Sequence, residues 1–337
     1  EAAPVQLAAF GQAPQRFSIR ALRRERLRGD ERRPKADADA IAQDSFRELA
    51  FPSQDDVAAA FTAAGLVGSL YDDYEPRDEQ RVMAEAVRHA FASSRNLMVE
   101  AGTGVGKSMA YLVPASMTSI INDVTVGVAT KTNALLDQLV HHELPALAAA
   151  LEKQGKTLTF TSLKGFSHYP CLRRIERIVE EGPRMRAVGG QEKPQAPALA
   201  ALLSFIEQTD YDDLDGLKID YRVLPLRIIT NTSHDCLRRK CPFYGTSCFV
   251  HGSRRRAETA NVVVTNHSLL FCDLAADNGL LPPIRYWVVD EAHGAENEAR
   301  RSFSLELPAD DIRFLARRVA GDESTRNVFS RAERVAV

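Results

Sequence analysis

The octapeptide AGTGVGKS at 101–108 constrains the fold of this chain more than any other feature of its 337 residues. A strand-like apolar run at 96–100 precedes it, and a helical pattern at 107–121 follows it. Glycines in such a loop let backbone N–H groups point at phosphate, and the following helix presents its positive end to the same charge. We expect Lys107 to reach the β and γ phosphates of a nucleotide and the Ser108 hydroxyl to bind magnesium.

The first position of the loop departs slightly from the usual pattern, which begins with glycine where this chain has Ala101. Only the inner glycines are required by close approach of the backbone to phosphate. A tight turn between strand and helix, without any nucleotide, is the alternative interpretation. The predicted nucleotide-binding residues of the loop are Ala101, Gly102, Thr103, Gly104, Val105, Gly106, Lys107 and Ser108.

Strand-like runs alternate with helical patterns from residue 76 onward. The runs lie at 96–100, 124–129, 157–162, 261–265 and 286–290, and helical patterns lie at 107–121 and 132–150. Such alternation is typical of a parallel sheet with helices on both faces. We therefore predict an α/β fold, which the stretch 164–256 interrupts because the alternation breaks down there. Ahead of the sheet, Ser53 is predicted to begin a helix that Gly65 ends.

A carboxylate pair follows the last strand-like run, in the sequence YWVVDEAH at 286–293. Ligands of open parallel sheets bind at the carboxyl ends of the strands. Asp290 is therefore predicted to hold magnesium opposite Ser108, and Glu291 to orient and activate the water that attacks the γ-phosphate. His293, two residues further on, is placed to sense the nucleotide. The alternative is an acidic helix start, which the helix dipole favours.

Five cysteines stand at 171, 236, 241, 248 and 272, and an odd number without a secretion signal argues against a disulfide framework. The spacing C-x4-C-x6-C with a distant fourth cysteine differs from the C-x2-C pairs of most zinc sites. Iron–sulfur clusters also take four thiolates and tolerate more varied spacing. Both metals remain open on these residues alone. Cys272 follows an apolar helical pattern and is predicted to be a core residue.

The run VEAGTGVGKS together with VVDEAH resembles the superfamily-two helicases of the DEAH-box type. Cysteines between these two motifs resemble those of the iron–sulfur helicases of the DinG/XPD family, in particular its bacterial DinG branch. The resemblance implies a P-loop (RecA-like) fold and a helicase that uses ATP and Mg²⁺ to unwind DNA, 5′ to 3′, in repair or replication. It also implies a [4Fe–4S] cluster on Cys171, Cys236, Cys241 and Cys248. Single-stranded and forked DNA are the implied partners, and a cytoplasmic, nucleoid-associated location is implied.

Three further segments carry the resemblance, which covers about 70 to 305. The run YEPRDEQ, with Arg77 and Gln80, is similar to the family's adenine-recognition motif. The run ATKTNALLDQL at 129–139 resembles the segment that contacts the DNA backbone, and VVVTNHSLL at 262–270 resembles one that precedes the DEAH strand. The family's second motor domain, with its Gln-x-x-Gly-Arg-x-x-Arg arginine finger, has no counterpart in these residues. The chain begins with Glu1, and we expect it to be a piece of a longer protein.

These observations predict a domain plan. Residues 1–50 form an unassigned extension or linker, 51–163 the first part of motor domain 1, and 164–256 the iron–sulfur insertion. Residues 257–304 complete the motor domain, and 305–337 begin a possible arch insertion. No apolar stretch reaches eighteen residues, so no membrane span is predicted.

Basic residues cluster although the net charge is only -2. The clusters lie at 20–35, 172–177, 238–240 and 254–256, and they indicate either a groove for nucleic acid or separate solvated faces. Phe243 and Tyr244, which lie among them, are expected to stack on a base or to pack a small core. A nucleotide-dependent clamp or sensor without turnover is the alternative function, against which Glu291 argues.

Overall fold

A computed structural model describes residues 18–27, 48–102, 104–245, 247–276 and 280–304. Thr103 of the predicted phosphate loop, most of the predicted extension 1–50 and the predicted start of an arch at 305–337 therefore lie outside the described residues.

The strands of the described residues are β1 Val126–Thr130, β2 Phe160–Ser162, β3 Met185–Val188, β4 Gln191–Pro194, β5 Val262–Asn266 and β6 Tyr286–Val289. The main sheet is parallel and has the strand order β2-β5-β1-β6. In it, Val126 pairs with Val262 and Gly127 pairs with Trp287, so β1 lies between β5 and β6. A separate antiparallel hairpin is formed by β3 and β4.

Helices surround this sheet, and the parallel α/β architecture predicted from the alternation is confirmed. The α-helices are Ile19–Arg26, Gln54–Ala60, Asp78–Ser93, Lys107–Asn122, Asn133–Gln138, Leu144–Glu152, Leu172–Glu181, Ala196–Gln208, Leu226–Ile229, Phe249–Ala257, His267–Ala275 and Ala295–Phe303. No helix among the described residues has both the length and the apolar character needed to cross a bilayer.

Two predicted helices differ from expectation in detail. Ser53 begins its helix through a capping box, in which its Oγ accepts from the Asp56 backbone N–H at 3.1 Å. That helix ends at Ala60, before Gly65, and the Ala60 carbonyl accepts from the Val67 N–H at 2.8 Å. The predicted helix 132–150 is interrupted by a π-helical turn, Leu139–Glu143.

The predicted strand at 96–100 is wrong. This segment has no strand conformation, and Leu97, Met98 and Val99 are 45%, 97% and 41% exposed. An apolar run forms a strand only where a neighbouring strand completes its backbone hydrogen bonds. None of the described strands pairs with it, since β6 is the last strand on its side of the sheet.

Two large hydrophobic clusters form separately. The first joins the helices Asp78–Ser93 and Lys107–Asn122 to the sheet, where Leu112, Val126 and Val262 are fully buried. The second lies almost entirely within 164–256, which we call the cysteine module, and contains Leu202 and Phe249. The module, which lies between β2 and β5 in the chain, therefore has a hydrophobic core of its own.

Candidate nucleotide site and cysteine cavity

The phosphate loop is shaped by two glycines in the left-handed region, Gly104 with φ 84° and Gly106 with φ 80°. Gln80 lies so close that a Cβ on Gly106 would stand 2.2 Å from its Nε2. That Nε2 donates to the Gly106 carbonyl at 2.9 Å, and the Arg77 guanidinium donates to the Gly104 carbonyl. The two residues predicted for adenine recognition thus hold the loop.

The Lys107 ammonium lies between the loop and the carboxylate pair. Its Nζ is 3.4 Å from the Ala101 carbonyl and 3.5 Å from Glu291 Oε1, and both side chains are about one-third exposed, at 31% and 32%. Gly102 and Val105 complete the described part of the loop. Because the Lys107 side chain is partly exposed, its ammonium group can move from the Glu291 carboxylate to a bound phosphate without disturbing the core.

Asp290 and Glu291 follow β6 at the carboxyl edge of the sheet. The Asp290 N–H donates to the Ala129 carbonyl at 2.8 Å, which continues the β1–β6 ladder by one residue. Glu291 then adopts φ 53°, an uncommon left-handed conformation for a residue other than glycine. Strained backbone of this kind occurs at sites where a side chain must be aimed.

Two residues that the sequence did not single out surround the predicted magnesium ligands. The buried Tyr111 hydroxyl donates to Asp290 Oδ2 at 3.2 Å. The neighbouring Ser108 hydroxyl acts on both Tyr111 and Glu143 and partly offsets the effect of burial on their pKa values. Burial raises the pKa of Tyr111 well above its ordinary value and also raises that of Glu143. The π-helical turn Leu139–Glu143 brings Glu143 to this position.

His293 connects the carboxylate pair to the segment 129–139. Its Nδ1 lies 3.3 Å from Glu291 Oε2, and its Nε2 lies 3.0 Å from Lys131 Nζ. Because lysine can only donate, the network assigns the ring proton to Nδ1, which donates to Glu291. A continuous polar path therefore runs from Lys107 through Glu291 and His293 to Lys131.

The four cysteines predicted to bind metal line one cavity of the cysteine module, Cys171, Cys236, Cys241 and Cys248. Among the described residues, no three or more Cys, His, Asp or Glu side chains lie close enough together to bind a metal ion as they stand. Burial raises the pKa of Cys171 and raises that of Cys248 to about 11, and nearby cysteines add to the second effect.

Orphaned polar atoms indicate that this cavity fits a polar or ionic group. Asn231 Oδ1 and His251 Nε2 both belong to residues that line it, and both are buried without a hydrogen-bond partner among the described residues. Buried polar atoms are normally satisfied. The four-sulfur donor set together with these two atoms is compatible with an iron–sulfur cluster or with zinc.

The other predicted residues of the module take different positions. Phe243 is 1% exposed and packs in the module's core, which decides between its two interpretations. Tyr244 is half-buried, with its ring centroid 4.3 Å from that of His251. Cys272 is half-buried rather than fully in the core, and its Sγ lies 3.7 Å from Ser302 Oγ.

An open cleft on the module concentrates positive charge. Two of its arginines lie outside the predicted basic clusters: Arg186 is on β3, and Arg184 directly precedes that strand. Glu181 pairs with Arg177 at 2.6 Å and with Arg184 at 3.1 Å, so part of this charge is neutralised. The arginines that line the arginine cleft, as we call it, are Arg173, Arg174, Arg177, Arg184 and Arg186.

Known proteins resemble this chain over most of its length, although no family model matches it. The ATP-dependent helicase DinG of Mycobacterium tuberculosis is 36% identical over 255 residues, which is 72% of this chain and 38% of that protein. The ATP-dependent DNA helicase YoaA of Escherichia coli is 33% identical over 266 residues, 76% of this chain and 39% of that protein. The 3'-5' exonuclease DinG of Bacillus subtilis is 29% identical over 234 residues, 69% of this chain and 24% of that protein.

The chain thus spans well under half the length of these curated relatives. The identity of 36% over 72% of this chain agrees with a phosphate loop whose Lys107 lies 3.5 Å from Glu291 at the carboxyl edge of a parallel sheet, and the chain belongs to the DinG-like family of helicases.

Proposed function

We propose that this chain is the ATP-binding part of a DNA-dependent ATPase motor that unwinds DNA. The observation that carries the proposal is the path from Lys107 to Lys131, because it joins a phosphate-binding lysine to the segment 129–139 through the DEAH residues. A protein that only binds nucleotide has no need of a carboxylate so linked.

In this proposal each residue of the site has a distinct role. The loop amides and Lys107 bind the phosphates of ATP, and Ser108 and Asp290 hold Mg²⁺. Phosphate binding draws Lys107 away from Glu291, which is then free to orient the attacking water. His293 reports the position of Glu291 to Lys131, and Arg77 and Gln80 adjust the loop when the base is bound.

The second motor domain, proposed to lie elsewhere in the same protein or in a partner, supplies the arginine finger. Closure of the two domains around ATP moves a single strand across the segment 129–139, 5′ to 3′. The arginine cleft of the cysteine module holds the phosphate backbone near the fork. A role in DNA repair or replication and a place at the nucleoid follow from this activity.

We further propose that Cys171, Cys236, Cys241 and Cys248 hold a [4Fe–4S] cluster in the cavity they line. Bound there, the cluster supplies a covalent cross-link between separate segments of the module and a centre capable of one-electron transfer. The His251 ring and the Asn231 amide are the polar groups of this chain placed to contact it.

A clamp or sensor that binds ATP and DNA without turnover is the alternative. Steady-state ATP hydrolysis by the complete protein, with and without single-stranded DNA, separates the two functions. We expect hydrolysis that DNA stimulates and that Lys107→Ala abolishes. Lys153→Met, which changes an exposed lysine directly after the helix Leu144–Glu152, is the matched control. ATP hydrolysis that single-stranded DNA does not stimulate would refute the proposed motor function.

Anaerobic purification tests the cluster. We expect a brown protein containing iron and sulfide, with Cys241→Ser losing the iron and Cys272→Ser retaining it, since Cys272 lies outside the cavity. A colourless protein with stoichiometric zinc would reject the iron–sulfur assignment and keep the four-cysteine site.

A further inference from the structure

Lys164 occupies the junction between the motor core and the cysteine module. It follows β2, where the preceding Leu163 N–H still donates to the Val264 carbonyl of the sheet at 2.9 Å. Its side chain is only 1% exposed. A buried ammonium is costly unless carboxylates surround it, so the partners of Lys164 define what it does.

Three carboxylates hold the ammonium, and they come from both sides of the junction. Asp137 Oδ1, on the helix Asn133–Gln138 of the motor core, lies 2.8 Å from Nζ. Asp213 Oδ2 and Asp215 Oδ2, on a turn of the module, lie 3.0 and 2.8 Å from it. Burial alone would lower the pKa of Lys164, but the three carboxylates outweigh burial and raise that pKa.

A second set of polar contacts, next to those of Lys164, crosses the same junction. His168 Nδ1 donates to Asp215 Oδ1 at 2.9 Å, and the Asn133 amide lies 3.5 Å from His168 Nε2. Asn266, the last residue of β5, donates to Asn133 Oδ1 at 2.7 Å. The end of β5 and the start of the helix Asn133–Gln138 are thereby both tied to the module.

The backbone of Lys164 acts on the cysteine cavity itself. Its N–H donates to the hydroxyl of the buried Tyr169 at 3.1 Å. Cys171 follows Tyr169 by two residues, and its own N–H donates to the Ile229 carbonyl at 2.7 Å. One residue therefore connects the segment 129–139, the acidic turn and the first cysteine of the cavity.

We propose that Lys164 is a positioning residue that holds the cysteine module against the helix Asn133–Gln138 and so fixes the arginine cleft relative to the strand-contacting segment. The inference rests on the proposed motor function, in which a single strand moves across the segment 129–139, which includes that helix. With the Lys164 contacts intact, the arginine cleft keeps a fixed position relative to the strand that moves across this segment. Without these contacts, the motor still moves along the strand, but the module is no longer positioned to separate the duplex.

The test compares Lys164→Met, Lys164→Arg and a matched Lys193→Met in the complete protein. Lys193 lies on β4 of the same module and pairs at 3.8 Å with Asp220, away from the motor core. For Lys164→Met we expect forked-duplex unwinding per ATP hydrolysed to fall by about tenfold, with DNA-stimulated hydrolysis within about twofold of the unchanged protein. Lys164→Arg should restore most of the unwinding, and Lys193→Met should behave as the unchanged protein.

Equal losses of hydrolysis and unwinding, or loss of the bound metal, would show that Lys164 serves stability only and would overturn the inference. Unchanged unwinding by Lys164→Met would overturn it too. If the unchanged protein neither hydrolyses ATP in response to DNA nor unwinds it, the proposed function falls instead. Amide hydrogen exchange then still tests the Lys164 contacts, which predict faster exchange at 133–138 and 213–217 in Lys164→Met but not in Lys193→Met.

Should Lys164→Met not fold, Asp215→Asn replaces it, because it keeps Lys164 paired with Asp137 and Asp213. The same separation of unwinding from hydrolysis is expected with a smaller amplitude. A ratio of unwinding to hydrolysis equal to that of the unchanged protein would overturn the inference.

Discussion

Lys131 illustrates how single side chains link two functions at this site. Its stem packs on Gly294, where a Cβ would stand only 3.0 Å from the lysine side chain. This close approach fixes the ammonium beside His293 Nε2. The lysine is therefore held at the nucleotide side of the segment 129–139, ready to respond when Glu291 moves.

Lys131→Met should weaken the response to DNA more than it weakens nucleotide binding. The variant retains the His293–Glu291 contact but removes the donor to Nε2. We expect the ratio of DNA-stimulated to basal ATP hydrolysis to fall by about fivefold or more. Steady-state kinetics with and without single-stranded DNA give this ratio, with Lys153→Met as the control. A ratio that does not change would show that the signal takes another route.

Sequence reasoning found the residues of this site whose spacing is local, and it missed those that only folding brings together. Lys107, Ser108 and the Asp290–Glu291 pair are marked by their neighbours in the chain. Tyr111 and Glu143 carry no such mark, since a tyrosine and a glutamate in helices are ordinary. Their roles arise from burial against Ser108 and Asp290, which the sequence does not express.

Among the secondary-structure elements, β1 and β6 are matched by one small residue. Gly127 pairs with Trp287, and a Cβ on this glycine would stand 2.5 Å from the indole ring. The apolar runs predicted both strands, but not this close approach. The π-helical turn was not predicted either. The helical pattern of 132–150 is continuous, and a single turn with one extra residue requires no distinctive residue types.

Gly127→Ala should destabilise the sheet, because the new methyl group must displace the Trp287 ring from a packed strand. We expect a loss of about 1–3 kcal/mol in the free energy of unfolding. Urea denaturation measures it. Gly165→Ala is the control, since a Cβ there meets nothing within 4 Å and the φ of -69° suits alanine. Equal stability of both variants would contradict the close approach of Gly127 to the indole ring.

Across the molecule, the motor core and the cysteine module each have a large hydrophobic cluster, and charged contacts at Lys164 add to the apolar packing that joins them. The sequence predicted this arrangement only in outline. Loss of alternation between 164 and 256 predicted an interruption of the sheet, and the separate core of the module agrees with it. The junction itself was not predicted. Asp137, Lys164 and the acidic pair Asp213 and Asp215 are far apart in the chain, and nothing in their local sequence patterns connects them.

Acid should weaken the contacts between the motor core and the cysteine module as the pH falls towards 2. The His168 hydrogen bond, followed by that of Lys164, lowers the pKa of Asp215 to about 2. A lowered carboxyl pKa stabilises the folded state above the unfolded value of about 4, and this stabilisation is lost as the pH falls towards 2. Thermal unfolding between pH 5 and pH 2 should therefore show a steeper decline for the unchanged protein than for Asp215→Asn. Parallel curves would contradict this role of Asp215.

The strand order β2-β5-β1-β6 also has a bearing on how the protein is made. The strands β1 and β2 leave the ribosome early, but they are not neighbours, because β5 lies between them and follows only after the whole cysteine module. Domains generally fold as they emerge. We expect ribosome-bound chains from which residues up to about 258 have emerged to contain a protease-resistant module beside unprotected β1 and β2, with protection of both strands once β5 and β6 have also emerged. The cysteines would then be gathered, and able to take up metal, before the motor core exists.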